Sequence, residues 1–132
     1  MEQVNVHIEA DVNPTESLEK VQAAVDTIVE GATVEVRAVA KGSVLIAQVS
    51  GQESLIKLRK ALRNDRIRDA ARKQLLRAIR GNNIVFFLNK QVASVGHISF
   101  CEEFAESPLG PLRIQIETDN PIELVEWLAQ KT

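Results

Sequence analysis

Ten cationic side chains crowd into the stretch from Lys57 to Arg80, where only Asp65 and Asp69 oppose them. Guanidinium and ammonium groups at this density do one kind of chemistry well. They donate charge-assisted hydrogen bonds to phosphate oxygens, Arg in a two-pronged fashion. The stretch carries a formal +8 inside a 132-residue chain of net charge −2, so the remaining residues hold −10. Segregation that strong exceeds what solubility requires and points to a polyanionic partner, most often nucleic acid.

On a helical wheel begun at Ile67, Arg68 and Arg72 lie on one flank of the apolar stripe, with Arg66, Lys73, Arg77 and Arg80 on the other. Cations bordering a buried stripe can straddle a backbone groove. The competing reading is a solvated helix tied by local pairs. Glu53–Lys57 and Asp69–Lys73 have the favourable i,i+4 order, each worth about 0.3–0.5 kcal/mol, and they leave eight cations without a partner in the helix. Arg63, Arg66, Arg68, Arg72, Lys73, Arg77 and Arg80 are therefore the candidate nucleic-acid contacts. Lys90 joins them from Asn89-Lys90-Gln91, which with Asn82-Asn83 can reach bases or 2′-hydroxyls. The same residues are also ordinary turn formers.

Other chemistry is poorly supported. His97 and Cys101 lie four apart with Glu102 next, but residues 92–100 read as a strand, where four residues span about 13 Å. No second Cys or His pair completes a metal site. Glu102, Glu103 and Glu106 fall in an irregular loop without the pocket that paired carboxylates need. Phosphate-binding glycine loops, zinc-protease helices and nucleophile elbows are absent. The expectation is a non-enzyme with no metal and no cofactor. Four Phe, one Trp and no Tyr also disfavour a base-stacking sheet face.

The elements that must position these residues follow from periodicity. Val4, Val6, Ile8, Ala10 and Val12 alternate with polar residues, the pattern of a strand with one buried face. Asn13-Pro14-Thr15-Glu16 reads as a helix start, with Asn as the cap, and Leu18, Val21, Val25 and Ile28 form the stripe. Residues 33–40 and 43–50 make a hairpin turning at Lys41-Gly42. Ser50 and Glu53 form a capping-box pattern before the basic helix, whose stripe is Leu55, Leu58 and Leu62. After Asn64-Asp65, which marks a bend or a second N-terminus, Ile67, Ala71, Leu75 and Ala78 continue it to Gly81. Residues 84–88 read as a central strand, Asn89-Lys90 as a turn, and 92–100 as the returning strand. An acidic loop spans 101–111, Leu112, Ile114 and Ile116 mark a last strand, and Asn120-Pro121-Ile122-Glu123 opens a terminal helix with Leu124, Val125, Trp127 and Leu128.

The order β-α-β-β-α-(α)-β-β-β-α predicts an α+β two-layer sandwich, a mixed sheet of about six strands with helices packed on one face. At this length one domain, residues 1–132, is expected. The N-terminus has no signal-like character, no apolar run approaches membrane length, and a lone cysteine precludes an internal disulfide. The chain reads as cytoplasmic.

Several motifs occur in a fixed order: Val12-Asn13-Pro14-Thr15-Glu16, Arg66-Ile67-Arg68-Asp69-Ala70-Ala71-Arg72, and the run from Gly81-Asn82-Asn83 to Asn89-Lys90-Gln91. Pro108-Leu109-Gly110-Pro111 and Asp119-Asn120-Pro121 with Trp127-Leu128-Ala129 follow. Together these resemble one small archaeal family of uncharacterised proteins. The resemblance implies a fold similar to the large-subunit ribosomal protein that contacts 5S RNA. It also implies RNA as partner and an association with RNA-processing machinery, the archaeal exosome. It supplies no catalytic residue.

Three readings remain open. One is a non-enzymatic RNA-binding module using the 57–80 face. The second is an assembly protein whose basic helix docks on an acidic protein surface; a homodimer, with the acidic regions of a second copy as that surface, is one form of it. The third is a small-molecule enzyme without a legible motif.

Overall fold

The computed structural model describes residues 3–103 and 109–130. Its elements run β1 (Val4–Val12), α1 (Leu18–Ile28), β2 (Thr33–Ala38), β3 (Ser43–Ser50), a 3-10 turn (Gln52–Leu55), α2 (Ile56–Asn64) and α3 (Arg68–Arg77). They continue with β4 (Ile79–Arg80), β5 (Asn83–Asn89), α4 (Lys90–Ser94), β6 (Phe100–Cys101), β7 (Pro111–Thr118) and α5 (Pro121–Leu128). The strands form one sheet in the order β2-β3-β1-β7-β5-β4, with β6 also on β5. The α+β class and the helices on one face agree with expectation. The sheet is antiparallel at every pairing among the described residues, not mixed. Helix α1 carries the chain from β1 to β2 in the same direction, but β3 enters between them, so no two hydrogen-bonded neighbours are parallel.

Alternation does the sorting. In β1, β5 and β7 every second side chain is buried, among them Ile8, Ala10, Ile84, Leu88, Leu112 and Ile114. The helices close over that face with Val25, Ile28, Leu58, Leu62, Leu75, Leu124 and Leu128, all excluded from water. Each such Leu or Ile contributes roughly 1.5–3 kcal/mol by leaving water.

Three local expectations change. Helix α1 starts at Leu18, not Pro14, with Ser17 as its cap, and Leu18 is exposed. Ser50 does not cap the 3-10 turn; its hydroxyl goes to Asn5 across the sheet, and the turn is entered at Gly51, φ 100°. The strand expected over 92–100 shrinks to β6. Residues 90–94 are helix α4 instead, because Asn89 Oδ1 accepts from the Val92 amide (2.9 Å) and Ala93 packs into the core beside α1, its carbonyl accepting from Thr27 Oγ1 (2.7 Å). A cap and a tertiary contact outweigh the β preference of Val92 and Val95. Likewise α3 stops at Arg77, since Ile79-Arg80 pair with β5. Of the acidic loop, residues 104–108, Glu106 among them, lie outside the described residues.

Candidate nucleic-acid interface

Helices α2 and α3 carry the basic segment on the outer layer. Leu55, Leu58 and Leu62 hold α2 down; Ala71 and Leu75 hold α3. Between them the chain bends at Arg66, which sits in the left-handed region at φ 58°. A side chain there costs on the order of 1 kcal/mol. The bend is fixed from outside: the Asp65 carboxylate accepts from His97 Nδ1 (3.0 Å) and from the Ile98 amide (2.9 Å). Those two hydrogen bonds hold the Asp65 carboxyl below its ordinary pKa, the His97 bond being the stronger influence.

The packing of α5 against α2 and α3 divides the cations into groups. Arg59, Lys60, Arg63 and Arg68 line a small cleft of about 70 Å³ together with Ile56 and Trp127. Arg59 donates from Nε to the Trp127 carbonyl (3.0 Å) and stacks over its ring, 5.2 Å from the centroid. Arg72, one turn beyond Arg68, reaches Glu126 at 3.1 Å. Lys73 and Arg77 stand exposed on the opposite flank of α3. Arg80 folds back onto the Arg77 and Ile79 carbonyls, 2.8 Å each, closing the end of the helix.

The local pairs expected within the helix, Glu53–Lys57 and Asp69–Lys73, do not form. Lys57 donates instead to the Asp26 carbonyl on α1 (3.1 Å). Among the described residues, the side chains of Lys60, Arg63, Arg66, Arg68, Lys73 and Arg77 have no hydrogen-bonded or ion-paired partner. The cleft thus holds a knot of like charge around one aromatic ring. An anion entering it would relieve that repulsion.

Lys90 is elsewhere. Its side chain is 2% exposed, and its ammonium donates to Glu16 Oε1 (2.8 Å) and to the carbonyls of Asp11 and Leu109 (2.7 Å each). All three protons are engaged, so Lys90 is no phosphate contact. Sequence reasoning missed Arg59, Lys60 and Trp127 as a unit. The i,i+4 spacing of Arg59 and Arg63 was the available signal, but their meeting with Trp127 depends on how α5 docks.

The open sheet face is different in kind. A shallow depression of about 410 Å³ is lined by Asn5, His7, Glu9, Gln48, Arg113, Gln115 and Glu117. His7 sits between Glu9 (3.0 Å) and Gln48 (3.2 Å). One arginine faces two carboxylates there, and no Phe, Tyr or Trp lines the depression; its single ring is the His7 imidazole.

The comparisons with known proteins agree on one family. A family model described as RNA binding matches residues 5–118. The UPF0201 protein SSO1042 of Saccharolobus solfataricus is 40% identical over 129 residues, covering 98% of this chain and 89% of the relative. A UPF0201 protein of Sulfolobus acidocaldarius is 41% identical over 127 residues, covering 96% and 88%. The crystal structure of the Methanococcus jannaschii UPF0201 protein superposes with a TM-score of 0.84 at 29% identity, over 97% of this chain and 94% of that one. Mth689 of Methanothermobacter thermautotrophicus, at 16% identity and a TM-score of 0.63, shares the fold. By its match to the family model and by its near full-length relatives, this chain belongs to the archaeal UPF0201 family.

Proposed function

We propose that this protein is a non-enzymatic RNA-binding module that grips the phosphate backbone with the outer surface of α2 and α3. The observation that carries the reading is the cleft of Arg59, Lys60, Arg63 and Arg68 around Trp127, three of whose cations lack any partner among the described residues. The description of the matching family model supports RNA as the polyanion. Arg66, Lys73 and Arg77 extend the contact along α3, while Arg72 exchanges Glu126 for phosphate. Recognition is by backbone and shape, since the sheet depression offers one imidazole, held by Glu9 and Gln48, where a stacking platform needs several free rings.

Groups with acid–base character have structural work. His97 anchors the bend through Asp65, and His7 is held in a polar ladder. Burial, helped by the charge of Glu102, pushes the Cys101 thiol up and away from a reactive thiolate.

The test is filter binding of structured and single-stranded RNA over a salt series. Affinity should fall by roughly 0.7–0.9 log units per log unit of salt for each phosphate contacted. Combined Lys60→Glu, Arg63→Glu and Arg68→Glu should weaken all RNAs alike and flatten the slope by roughly two to three units. Lys20→Glu, on α1, should change neither. If the wild type shows no affinity better than about 10⁻⁴ M at low salt, the weak edge of non-specific binding, the basic face belongs to an acidic protein partner instead.

A further inference from the structure

Strand β2 is the edge of the sheet, and all six of its residues, Thr33 to Ala38, are exposed. Edge strands are normally blunted by proline, by charged side chains (lysine above all) or by an inward charge. This one has no proline, lysine or inward charge, and its two charges, Glu35 and Arg37, are paired with each other. Its register on β3 places Val34 beside Ala47 and Val36 beside Leu45, both of which face the helices. Val34, Val36 and Ala38 therefore point to the helix side, yet they remain open to solvent, the two valines 37% and 44% exposed.

The backbone is equally open. Val39 donates its amide to Gly42 across the hairpin, so Val39, Arg37, Glu35 and Thr33 are the residues bonded to β3. By alternation the amides and carbonyls of Val34, Val36 and Ala38 point outward, without a strand to receive them. On the other face of β2 lie Glu35 and Arg37, joined to each other at 2.8 Å.

We propose that a second copy of this chain pairs here, β2 against β2, antiparallel about a two-fold axis through Val36. That register puts Val36 opposite the partner's Val36, Val34 opposite the partner's Ala38, and all of their outward groups into hydrogen bonds. It also sets Glu35 opposite the partner's Arg37, twice, so that four charges alternate in sign around the axis. Centring the axis on Glu35 or Arg37 would oppose like charges, which is destabilising. Centring it on Val34 or Ala38 leaves Arg37 without a carboxylate opposite. Charge complementarity thus selects one register and a second copy as the occupant. The axis stands normal to the sheet, so both helical layers lie on the same side of a continuous double sheet. The pairing is independent of RNA.

A single edge pairing lies at the small end of specific interfaces, which implies a dissociation constant on the order of 10 µM. Sedimentation equilibrium over about 1–500 µM should show monomer passing to dimer. Glu35→Arg should leave monomer throughout, since it opposes two arginines, and Glu35→Arg with Arg37→Glu should restore the dimer. Val36→Pro should abolish it while keeping the fold by circular dichroism, because the amide it removes does not bond β3 and proline is tolerated at a sheet edge. A wild type that stays monomeric across the range overturns the proposal. So does a dimer unaffected by Glu35→Arg.

Discussion

The motif Asn-Pro-x-Glu occurs twice, each time between a strand and a helix, and the two copies do different things. At Asn120 it is a helix start: Oδ1 accepts from the Glu123 amide (3.2 Å), Pro121 is the first helical residue, and Glu123 reaches back to the Asn120 side chain (3.0 Å). At Asn13 the local reach-back survives, with Glu16 Oε1 accepting from the Asn13 amide (3.0 Å) and side chain (2.6 Å), but the helix begins five residues later at Leu18. The difference is Lys90. Its buried ammonium claims Glu16 and two carbonyls, turning the first corner into a polar clasp joining the end of β1, the start of β7 and helix α4. A local motif fixes which groups are close; a distant cation decides what they build.

If that is right, Lys90 matters more than either asparagine. Lys90→Met should destabilise the fold by about 3–5 kcal/mol, the usual cost of breaking a buried pair by removing one partner. Urea denaturation would measure it. A loss below about 1 kcal/mol, the scale of an exposed ion pair, would mean that the clasp adds nothing to the corner.

The same distance dependence decides how much could be read from sequence. Strands β1 and β7 were legible because each buries one face, and period two survives whatever lies above it. The leucines of α2 and the bend at Asn64-Asp65 were legible for the same local reasons. Helix α4 was not: a five-residue element is chosen by the Asn89 cap and by Ala93 meeting α1, neither of which periodicity encodes. Lys90 misled for a related reason. In an Asn-Lys-Gln turn a lysine reads as exposed, and the groups that bury it lie as far away in sequence as Asp11 and Glu16. The basic segment sits between these cases. Its charge was a matter of counting, while the cleft around Trp127 required α5 to pack on α2.

A smaller effect tests the clasp through pH. Burial pushes the Glu16 carboxyl up, but hydrogen bonds from Lys90 and Asn13 together outweigh it, and its pKa falls below the ordinary 4.5. A group depressed on folding contributes stability that is full above its unfolded pKa and lost as pH falls through the folded one. Wild type should thus lose stability relative to Glu16→Gln as pH drops below about 4.5. At neutral pH the variant should be weaker by about 2 kcal/mol, because its amide oxygen still accepts from Lys90 without the charge. Parallel stability–pH curves for the two proteins would remove Glu16 as the titrating member.

The smallest effects separate the two caps themselves. Asn120→Ala removes a working N-cap and should cost about 1 kcal/mol. Ser17, the cap of α1, accepts from the Lys20 amide at 3.4 Å on an exposed turn, a long hydrogen bond. Ser17→Ala should cost no more than about 0.5 kcal/mol, the low end for capping residues. Helix α1 can tolerate so weak a cap because the Glu16–Lys90 clasp has already fixed the chain one residue before it; α5 begins at Asn120 with no buried lysine to place it. The comparison therefore predicts an interaction between sites. In the Lys90→Met background, Ser17→Ala should become more costly, while Asn120→Ala should add its wild-type increment unchanged. Equal increments for Ser17→Ala in both backgrounds, measured by urea melts, would show that the clasp and the cap act independently and that the two corners differ only in where their helices start.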